Sequence, residues 1–388
     1  MAGRVRTRAA VLHRPGEPVS IEDVELDPPK ASEVLVRVAA AGVCHSDVRY
    51  ADGELGVDYW PVILGHEGAG VVEQVGEGVT HVAPGDHVAF CFVPACRSCR
   101  YCRAGKPNLC EVVAEHGARG MLMDGTSRLR LADGTIVKHG LRTACFAERT
   151  VVAAGGAVAL PRELPLWQAA LLGCGVVTGM GAVRNAAGVQ PGDSVAVIGC
   201  GGVGLQVVAA ARLAGAEPIV AVDRVAEKLE LAVAQGATHV VDASRDADPV
   251  STIHRLTGDG ADYAFEVIGR TETMRQAWGA IRAGGTAVVV GLAPEGVDAS
   301  VPAIEFLSDK TLRGTYYGSG DPAVEIPGLA ALALSGELDL AGVVTHLDTL
   351  DGLEPAFERL RRGEGARTIL VIDPATAGAP NPTDGGIR

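Results

Sequence analysis

Aromatic residues make up only 4% of this sequence, and no long run of consecutive apolar residues occurs in it. The hydrophobic cores must therefore be built mainly from Ala, Val, Leu and Ile. A membrane-spanning helix needs roughly 18 or more apolar residues in a row, so none is predicted. Basic residues are also few, since 34 Lys and Arg stand against 47 Asp and Glu. Nucleic acids and anionic membranes bind clustered Lys and Arg, so neither is predicted as a partner.

The first residues lack the apolar run of about 7 to 15 residues that a signal peptide needs, and we expect a cytoplasmic protein. In that reducing compartment the nine cysteines are more often metal ligands than disulfide partners. The 51 glycines indicate many tight turns and close backbone approaches, as in parallel α/β architecture.

Two patterns divide the chain. Residues 1–175 show short alternating apolar segments broken by Gly, Pro and Asp, which predicts an irregular β-rich domain. Residues 176–318 alternate short apolar runs with helical stretches, which predicts an α/β fold with a doubly wound parallel sheet of Rossmann type. Residues 319–374 are expected to return to the first domain. The small, polar residues 375–388 predict a flexible tail.

Four cysteines with the spacing C-x2-C-x2-C-x7-C form the strongest metal signal in the sequence: Cys96, Cys99, Cys102 and Cys110. Four thiolates fill a tetrahedral zinc shell and leave no position for substrate, so this site is predicted to be structural. An iron-sulfur cluster and four unligated thiols are the alternatives.

A second possible metal site is more dispersed. Cys44 and His66 lie in separate glycine-rich segments, and Cys174 lies far along the chain. Two thiolates and one imidazole would leave the fourth zinc position open, as a catalytic zinc requires. A buried Cys or His is more often a packing residue, so from the residues alone both interpretations stand.

A glycine-rich turn follows the predicted strand 194–198 and opens a predicted helix that ends near Leu213. This turn is expected to bind a dinucleotide pyrophosphate at the helix N-terminus through Gly199, Gly201, Gly202, Val203 and Gly204. Asp223 ends the next predicted strand, where a carboxylate favours NAD by binding the ribose diol. Arg224 beside it leaves NADP as an alternative cofactor.

Several separated segments together resemble the zinc-containing medium-chain alcohol dehydrogenases, in the longer-chain, dimeric branch. They are GHEGAGVVEQVGEGV, the four-cysteine cluster, GCGVVTG, VIGCGGVG and FEVIGR, and the likeness runs from about Val5 to Asp373. The resemblance implies a GroES-like catalytic domain beside the Rossmann domain, two zinc ions per subunit, and NAD. It also implies a homodimer, with a tetramer as the alternative.

By this resemblance, Cys44, His66 and Cys174 are the catalytic zinc ligands. Glu67 is a nearby carboxylate that can approach the metal, and Asp47 accepts a hydrogen bond from the His66 ring.

The resemblance also implies that Ser46 bonds the alcohol and starts a proton relay. Many relatives have a histidine where Arg49 stands, and an arginine is a poor proton acceptor. The relay must then use a ribose hydroxyl, water or His45.

Further contacts follow from the resemblance by position. The implied cofactor contacts are His45 and Arg367 at the pyrophosphate, Lys228 at the adenosine ribose, and Thr178, Val267 and Val290 at the nicotinamide. The implied substrate pocket is apolar and is lined by Phe92, Leu292 and Tyr316.

The resulting hypothesis is reversible, NAD-linked oxidation of a primary or secondary alcohol, hydrophobic or aromatic, to an aldehyde or ketone. One alternative is a dehydrogenase acting on a formaldehyde adduct of a small thiol, because GMLMDGTSRL resembles the branch that includes such enzymes. By the resemblance, the position of the arginine that binds a carboxylate in those enzymes is Ala114 here, or that arginine is shifted within CEVVAEHG. Two further hypotheses stand beside it: a nicotinoprotein that retains NAD, and a non-catalytic NAD-binding protein.

Overall fold

The computed structural model describes residues 3–380. They form two compact units, of which the first contains the chain up to Cys174 and from Asp321 onward, and the second contains Gly175–Gly320.

The strands, in chain order, are β1 (Val5–Leu12), β2 (Ser20–Leu26), β3 (Glu33–Val43), β4 (Val62–Ile63), β5 (Glu67–Val75), β6 (His87–Phe90), β7 (Leu129–Arg130), β8 (Ile136–His139), β9 (Arg149–Ala153), β10 (Ala157–Leu160), β11 (Val195–Ile198), β12 (Ile219–Asp223), β13 (His239–Asp242), β14 (Ala261–Glu266), β15 (Ile281–Val289), β16 (Thr311–Gly314), β17 (His346–Asp348) and β18 (Thr368–Val371). The α-helices are α1 (His45–Ala51), α2 (Arg100–Arg103), α3 (Glu111–Gly117), α4 (Leu166–Ala169), α5 (Gly175–Gly181), α6 (Gly202–Leu213), α7 (Ala226–Gln235), α8 (Pro249–Thr257), α9 (Thr271–Ala280), α10 (Pro322–Leu334), α11 (Leu353–Arg361) and α12 (Pro374–Ala377).

The second unit contains a six-stranded parallel sheet with the order β13-β12-β11-β14-β15-β16. Strand β11 has the sequence VAVI and all four side chains are buried, because a central parallel strand has helices on both faces. From β11 the sheet extends through β12 to β13 on one side and through β14 and β15 to β16 on the other side. The strand order therefore reverses beside β11. This is the doubly wound topology, and the predicted fold class is confirmed.

The first unit contains a closed barrel with the order β1-β2-β7-β8-β4, and a sheet with the order β10-β6-β5-β3-β18-β17 in which β9 also pairs with β3. Its core contains few aromatic rings, and one contact joins distant segments: the rings of Phe146 and Phe357 lie 6.2 Å apart. Strand β18 runs antiparallel to β3 and pairs Thr368 with Val43. The late strand therefore brings residue 367 beside the end of β3.

The end of the chain differs in part from the predicted flexible tail. Helix α12 begins at Pro374, its N-cap Asp373 accepts a hydrogen bond from the Ala375 amide, and Ala377 is fully buried. The rest of the predicted tail, from residue 381 onward, lies outside the described residues.

Within residues 3–380, no single helix is long and apolar enough to cross a membrane. One bent pair of helices, 166–173 and 175–187, passes the same test by length and composition alone.

His139, at the end of β8, is fully buried, and its Nε2 accepts a hydrogen bond from the Arg128 amide at 3.2 Å. Burial, together with the Arg128 charge, lowers the pKa of His139 to about 3. In the unfolded chain a histidine binds a proton below about pH 6.5. The folded form does not gain this proton until about pH 3, so the free energy of unfolding falls as the pH falls between these values.

We expect the wild-type protein to lose about 2 kcal/mol more stability than a His139→Gln variant between pH 7 and pH 5, at about 1.4 kcal/mol per pH unit below 6.5. Glutamine keeps an acceptor for the Arg128 amide but does not titrate. Urea unfolding of both proteins at the two pH values measures the difference. Equal losses in the two proteins would rule out His139 as the source.

Candidate functional site

Four buried side chains of the first unit converge on one point. The ligand atoms of Cys44, His66, Glu67 and Cys174 all lie within 4.8 Å of one another. Cys44 follows β3 and caps α1, His66 directly precedes β5, and β3 and β5 pair in register, Gly42 with Glu67. Cys174 follows a short helical turn, residues 170–173. Thiolate and imidazole are the donors that zinc prefers, so the donor set fits a tetrahedral zinc ion.

Asp47 holds two sides of this cluster in place. Its Oδ1 lies 3.1 Å from Nδ1 of His66 and accepts a hydrogen bond from the Gly65 amide, while its Oδ2 accepts one from the Cys44 amide. The carboxylate is 1% exposed. A bond to Nδ1 leaves Nε2 of His66 as the metal-binding atom, as carboxylate–histidine pairs do around zinc.

Glu67, one of the four side chains of the cluster, forms an ion pair with Arg367. Nη2 of Arg367 lies 3.0 Å from Oε1 of Glu67 without hydrogen-bond alignment, and both side chains are buried. Burial raises the pKa of Glu67 to about 7, although the Arg367 charge opposes this shift. The sequence predicts Arg367 at the cofactor pyrophosphate, and it gives no sign of this contact with Glu67.

The Cys44 thiol is prepared for deprotonation. Its hydrogen bond with Cys174 lowers the pKa of Cys44, and the neighbouring His66 lowers it further. A thiolate, not a thiol, is the metal ligand. The protein groups alone therefore favour the form of Cys44 that binds metal.

The expected proton-relay residues lie at the start of α1. The Ser46 hydroxyl is half-buried and lies 3.3 Å from Nε2 of His66, whereas His45 is exposed. Arg49 pairs with Glu54 at 2.5 Å. A paired guanidinium cannot take a proton, which agrees with the exclusion of Arg49 from a relay.

The expected pocket residues differ in their surroundings. Phe92 is 6% exposed, and its ring meets the His66 ring edge-on, with centroids 5.3 Å apart. Leu292 and Tyr316, in the second unit, are each 46% exposed. Within the first unit, Phe92 therefore packs against the cluster.

The four cysteines predicted to bind a structural metal form a second cluster, and their sulfur atoms lie within 4.8 Å of one another. The Cys96 amide donates to Sγ of Cys110, and the Cys99 amide donates to Sγ of Cys96. Burial opposes ionisation of Cys96, but hydrogen bonds from Ser98 outweigh it and lower the pKa of Cys96 to about 6. All nine cysteines are free of disulfides, so these four thiols are available to a metal ion.

The glycine-rich turn lies between β11 and α6, as predicted. Gly199 has a φ of +102°, and a Cβ at Gly204 would collide with the Gly199 carbonyl. A Cβ at Gly201 would meet nothing within 4 Å, so this glycine leaves open space in front of the N-terminus of α6. An open face before helix amides fits a pyrophosphate. Gly202 and Val203 form the first turn of α6.

Asp223, at the end of β12, is bound to this turn. Its Oδ2 accepts a hydrogen bond from the Cys200 amide at 2.8 Å, and its Oδ1 accepts from the Arg224 and Val225 amides. A carboxylate has about four lone-pair positions, so Oδ2 retains one for a ribose hydroxyl.

The remaining expected cofactor residues are also in the second unit. The Arg224 side chain is exposed, and Lys228, in the first turns of α7, is half-buried. Thr178 lies in α5, and Val267 and Val290 follow the ends of β14 and β15, all three partly exposed.

Arg142 is a site residue that the sequence did not single out. It is 5% exposed and donates from Nε to the Phe92 carbonyl at 2.9 Å. A lone arginine in the segment HGLRTACF carries no periodic or spacing signal, so nothing in the sequence distinguishes it from a surface arginine.

Known proteins resemble this chain in both units. An alcohol dehydrogenase GroES-like domain model matches residues 30–162, and a zinc-binding dehydrogenase model matches residues 202–335. The chain is 40% identical to an S-(hydroxymethyl)glutathione dehydrogenase of Escherichia coli O1:K1 / APEC over 94% of this chain and 100% of that protein. An enzyme of the same name from Photobacterium damsela subsp. piscicida is 41% identical with the same coverage.

Solved structures agree in fold. The benzyl alcohol dehydrogenase of Acinetobacter calcoaceticus has a TM-score of 0.89 at 32% identity, over 95% of this chain and 99% of that one. An alcohol dehydrogenase zinc-binding domain protein of Burkholderia ambifaria has a TM-score of 0.90 at 37% identity, with the same coverage. This chain therefore belongs to the medium-chain, zinc-containing alcohol dehydrogenases, a family of NAD-linked oxidoreductases.

Proposed function

We propose that this enzyme oxidises a primary or secondary alcohol with a hydrophobic or aromatic body to the aldehyde or ketone, reversibly and with NAD. The observation that carries the proposal is the convergence of Cys44, His66 and Cys174, with the ring of Phe92 packed against His66. These three residues would hold a zinc ion, which when bound supplies a Lewis acid, and NAD supplies the hydride acceptor.

The other side chains of the cluster have separate tasks. Oγ of Ser46, half-buried beside His66, takes the proton of the alcohol and passes it outward. Because the Arg49 guanidinium is already protonated and cannot accept a proton, the proton continues through His45, a ribose hydroxyl or water. Phe92 excludes water from one side of the cluster and offers an apolar surface to the substrate.

Asp47 should control metal affinity through His66. In an Asp47→Asn variant the charge beside His66 is lost and one oxygen becomes an NH2 group, so either the His66 ring and the Gly65 amide or the Cys44 amide lose their acceptor. We expect zinc affinity at this site to fall roughly tenfold to a hundredfold. Competition with a zinc chelator measures the change. Asp52→Asn, which removes a surface partner of Arg361, is the control and should leave the affinity unaltered.

A second candidate substrate is a formaldehyde adduct of a small thiol. The relatives at 40% and 41% identity that carry the name S-(hydroxymethyl)glutathione dehydrogenase favour it. Against it, the residue at the expected position of the carboxylate-binding arginine is Ala114, which is exposed on α3 and has no group that binds a carboxylate.

NADH formation across a substrate panel distinguishes the candidates. The panel contains benzyl alcohol, ethanol, and formaldehyde with glutathione or another small thiol, and zinc is measured on the same sample. We expect the highest kcat/KM with benzyl alcohol and two zinc ions per subunit. Preference for the thiol adduct would replace the main proposal with the second one. NAD retained through purification, with turnover only when an electron acceptor is added, would identify a nicotinoprotein.

We further propose that the enzyme is a cytoplasmic homodimer, with a tetramer as the alternative. The nine free thiols support a reducing compartment. The long loop region around residues 117–140, which the sequence shares with the dimeric branch, supports the dimer. Sedimentation analysis of the purified enzyme measures its mass.

A further inference from the structure

Arg142 carries a buried positive charge that no carboxylate balances within residues 3–380. Its side chain is 5% exposed, Nε donates to the Phe92 carbonyl at 2.9 Å, and Nη1 donates to the Val113 carbonyl at 3.2 Å. Burying a charge is unfavourable unless polar groups compensate for it. The two carbonyl groups supply this compensation, and in return the guanidinium joins two separate segments of the chain.

The main chain is bent to direct Arg142 inward. Leu141, Arg142 and Ala144 have φ values of 47°, 62° and 49°, in the left-handed region that residues other than glycine rarely adopt. Such strain persists only where the surrounding structure enforces it, and it concentrates at functional sites. Gly117 provides the space, because a Cβ at this position would collide with Nη1 of Arg142.

The same segment contacts the metal-binding cluster from the other side. The Thr143 hydroxyl donates to the Gly65 carbonyl at 2.7 Å, and the Cys145 amide donates to the same carbonyl at 3.1 Å. Gly65 directly precedes His66, whose ring meets the ring of Phe92. Residues 142–145 therefore fix the main chain on both sides of the contact between His66 and Phe92.

We propose that Arg142 is a specificity-determining positioning residue: by holding Phe92 and helix α3, it fixes the apolar surface on which the body of the substrate alcohol packs. This inference rests on the proposed function, because it assigns that surface to a hydrophobic alcohol. A bulky aromatic alcohol depends on the placement of Phe92. A two-carbon alcohol reaches the cluster without touching most of this surface, so it depends on Arg142 far less.

Two variants and one control test the proposal. Arg142→Met keeps the length of the side chain and removes both hydrogen bonds, and Arg142→Lys keeps the charge but can bond only one carbonyl well. Arg149→Met is the control, because Arg149 is a half-buried arginine of the same unit that pairs with Glu73. For Arg142→Met we expect KM for benzyl alcohol to rise about tenfold, because, of the two charge-assisted hydrogen bonds that are lost, the one to the Phe92 carbonyl positions the substrate surface directly. KM for ethanol and the zinc content should stay within about twofold, and Arg142→Lys should be intermediate.

Amide hydrogen exchange in residues 111–117 gives a readout that does not depend on turnover. We expect exchange in this helix to become about tenfold faster in Arg142→Met and to stay unchanged in Arg149→Met. Equal changes of KM for both alcohols, or unchanged exchange in α3, would overturn the proposal. If the wild type oxidises neither alcohol, the proposed function fails, and the exchange measurement still decides whether Arg142 holds α3. If Arg142→Met does not fold, Arg142→Lys carries the same measurements.

Discussion

A Cys174→Ser variant should lose one of its two zinc ions and nearly all of its alcohol oxidation. Cys174 is buried with its sulfur within 4.8 Å of the ligand atoms of Cys44 and His66. A serine hydroxyl is a much poorer zinc ligand than a cysteine thiolate, so the metal is released. Loss of the Lewis acid removes several kcal/mol of transition-state stabilisation, which corresponds to roughly a thousandfold lower kcat/KM.

NADH binding separates this effect from unfolding. The glycine-rich turn and Asp223 belong to the second unit, whereas the cluster belongs to the first, so NADH affinity should stay within about twofold. Cys91→Ser is the matched control, because Cys91 is a buried cysteine outside both clusters and a serine can also donate to the Val93 carbonyl. Two zinc ions together with full turnover in Cys174→Ser would refute the assignment of this ligand.

Arg128→Met should be the most destabilising of the substitutions considered, with a loss of about 3 to 5 kcal/mol in the free energy of unfolding. Arg128 is 1% exposed, and it donates from Nε and Nη2 to the two oxygens of Glu33, at 2.8 and 2.5 Å. Nη2 also donates to Asp124 at 2.7 Å. Removing the guanidinium leaves the Glu33 carboxylate buried without a cation.

Urea unfolding measures this loss against two comparisons. Arg149→Met breaks a more exposed pair, with Glu73, and should cost no more than about 1 kcal/mol. The double variant Arg128→Met with Glu33→Gln should recover part of the loss, because the unpaired buried charge is then absent. If Arg128→Met and Arg149→Met lose similar amounts of free energy of unfolding, burial of the ion pair between Arg128 and Glu33 does not increase its effect on stability.

The sequence predicted the second unit well, because strands buried on both faces produce continuous apolar runs. Apolar runs at 194–198, 219–222, 239–241, 263–267 and 286–290 predict five strands, and these correspond to β11 through β15. Strand β16 was missed, since all four of its residues are exposed and its sequence, TLRG, has no apolar run. An edge strand of this kind is defined by pairing with β15 and not by its own composition.

In the first unit, local pattern located strands but not their partners. The alternating sequence EVLVRVA at residues 33–39 predicts a strand, but β3 continues to Val43, through AAGV, which has no alternation. The pairing of β18 with β3 depends on contacts between residues more than 300 positions apart, which no local pattern encodes.

Some parts of the site can be predicted from the sequence, and others cannot. The spacing of the four clustered cysteines predicts a metal site directly, because closely spaced thiols have few other uses. The grouping of Cys44, His66 and Cys174 needed the family resemblance, since the three lie far apart in the chain. The contact of Glu67 with Arg367 and the inward course of Arg142 depend on backbone geometry, so they emerged only from the structure.

The pairing of β18 with β3 also sets an order of events during synthesis. Strand β18 and Arg367 leave the ribosome about 50 residues after the end of the second unit and more than 300 after β3. The nucleotide-binding unit, which is continuous in the chain, can close while translation proceeds. Until then, residues 40–43 of β3 lack a partner on the side opposite β5, and Glu67 lacks its cation. This short free edge exposes the metal-binding unit to aggregation during that interval.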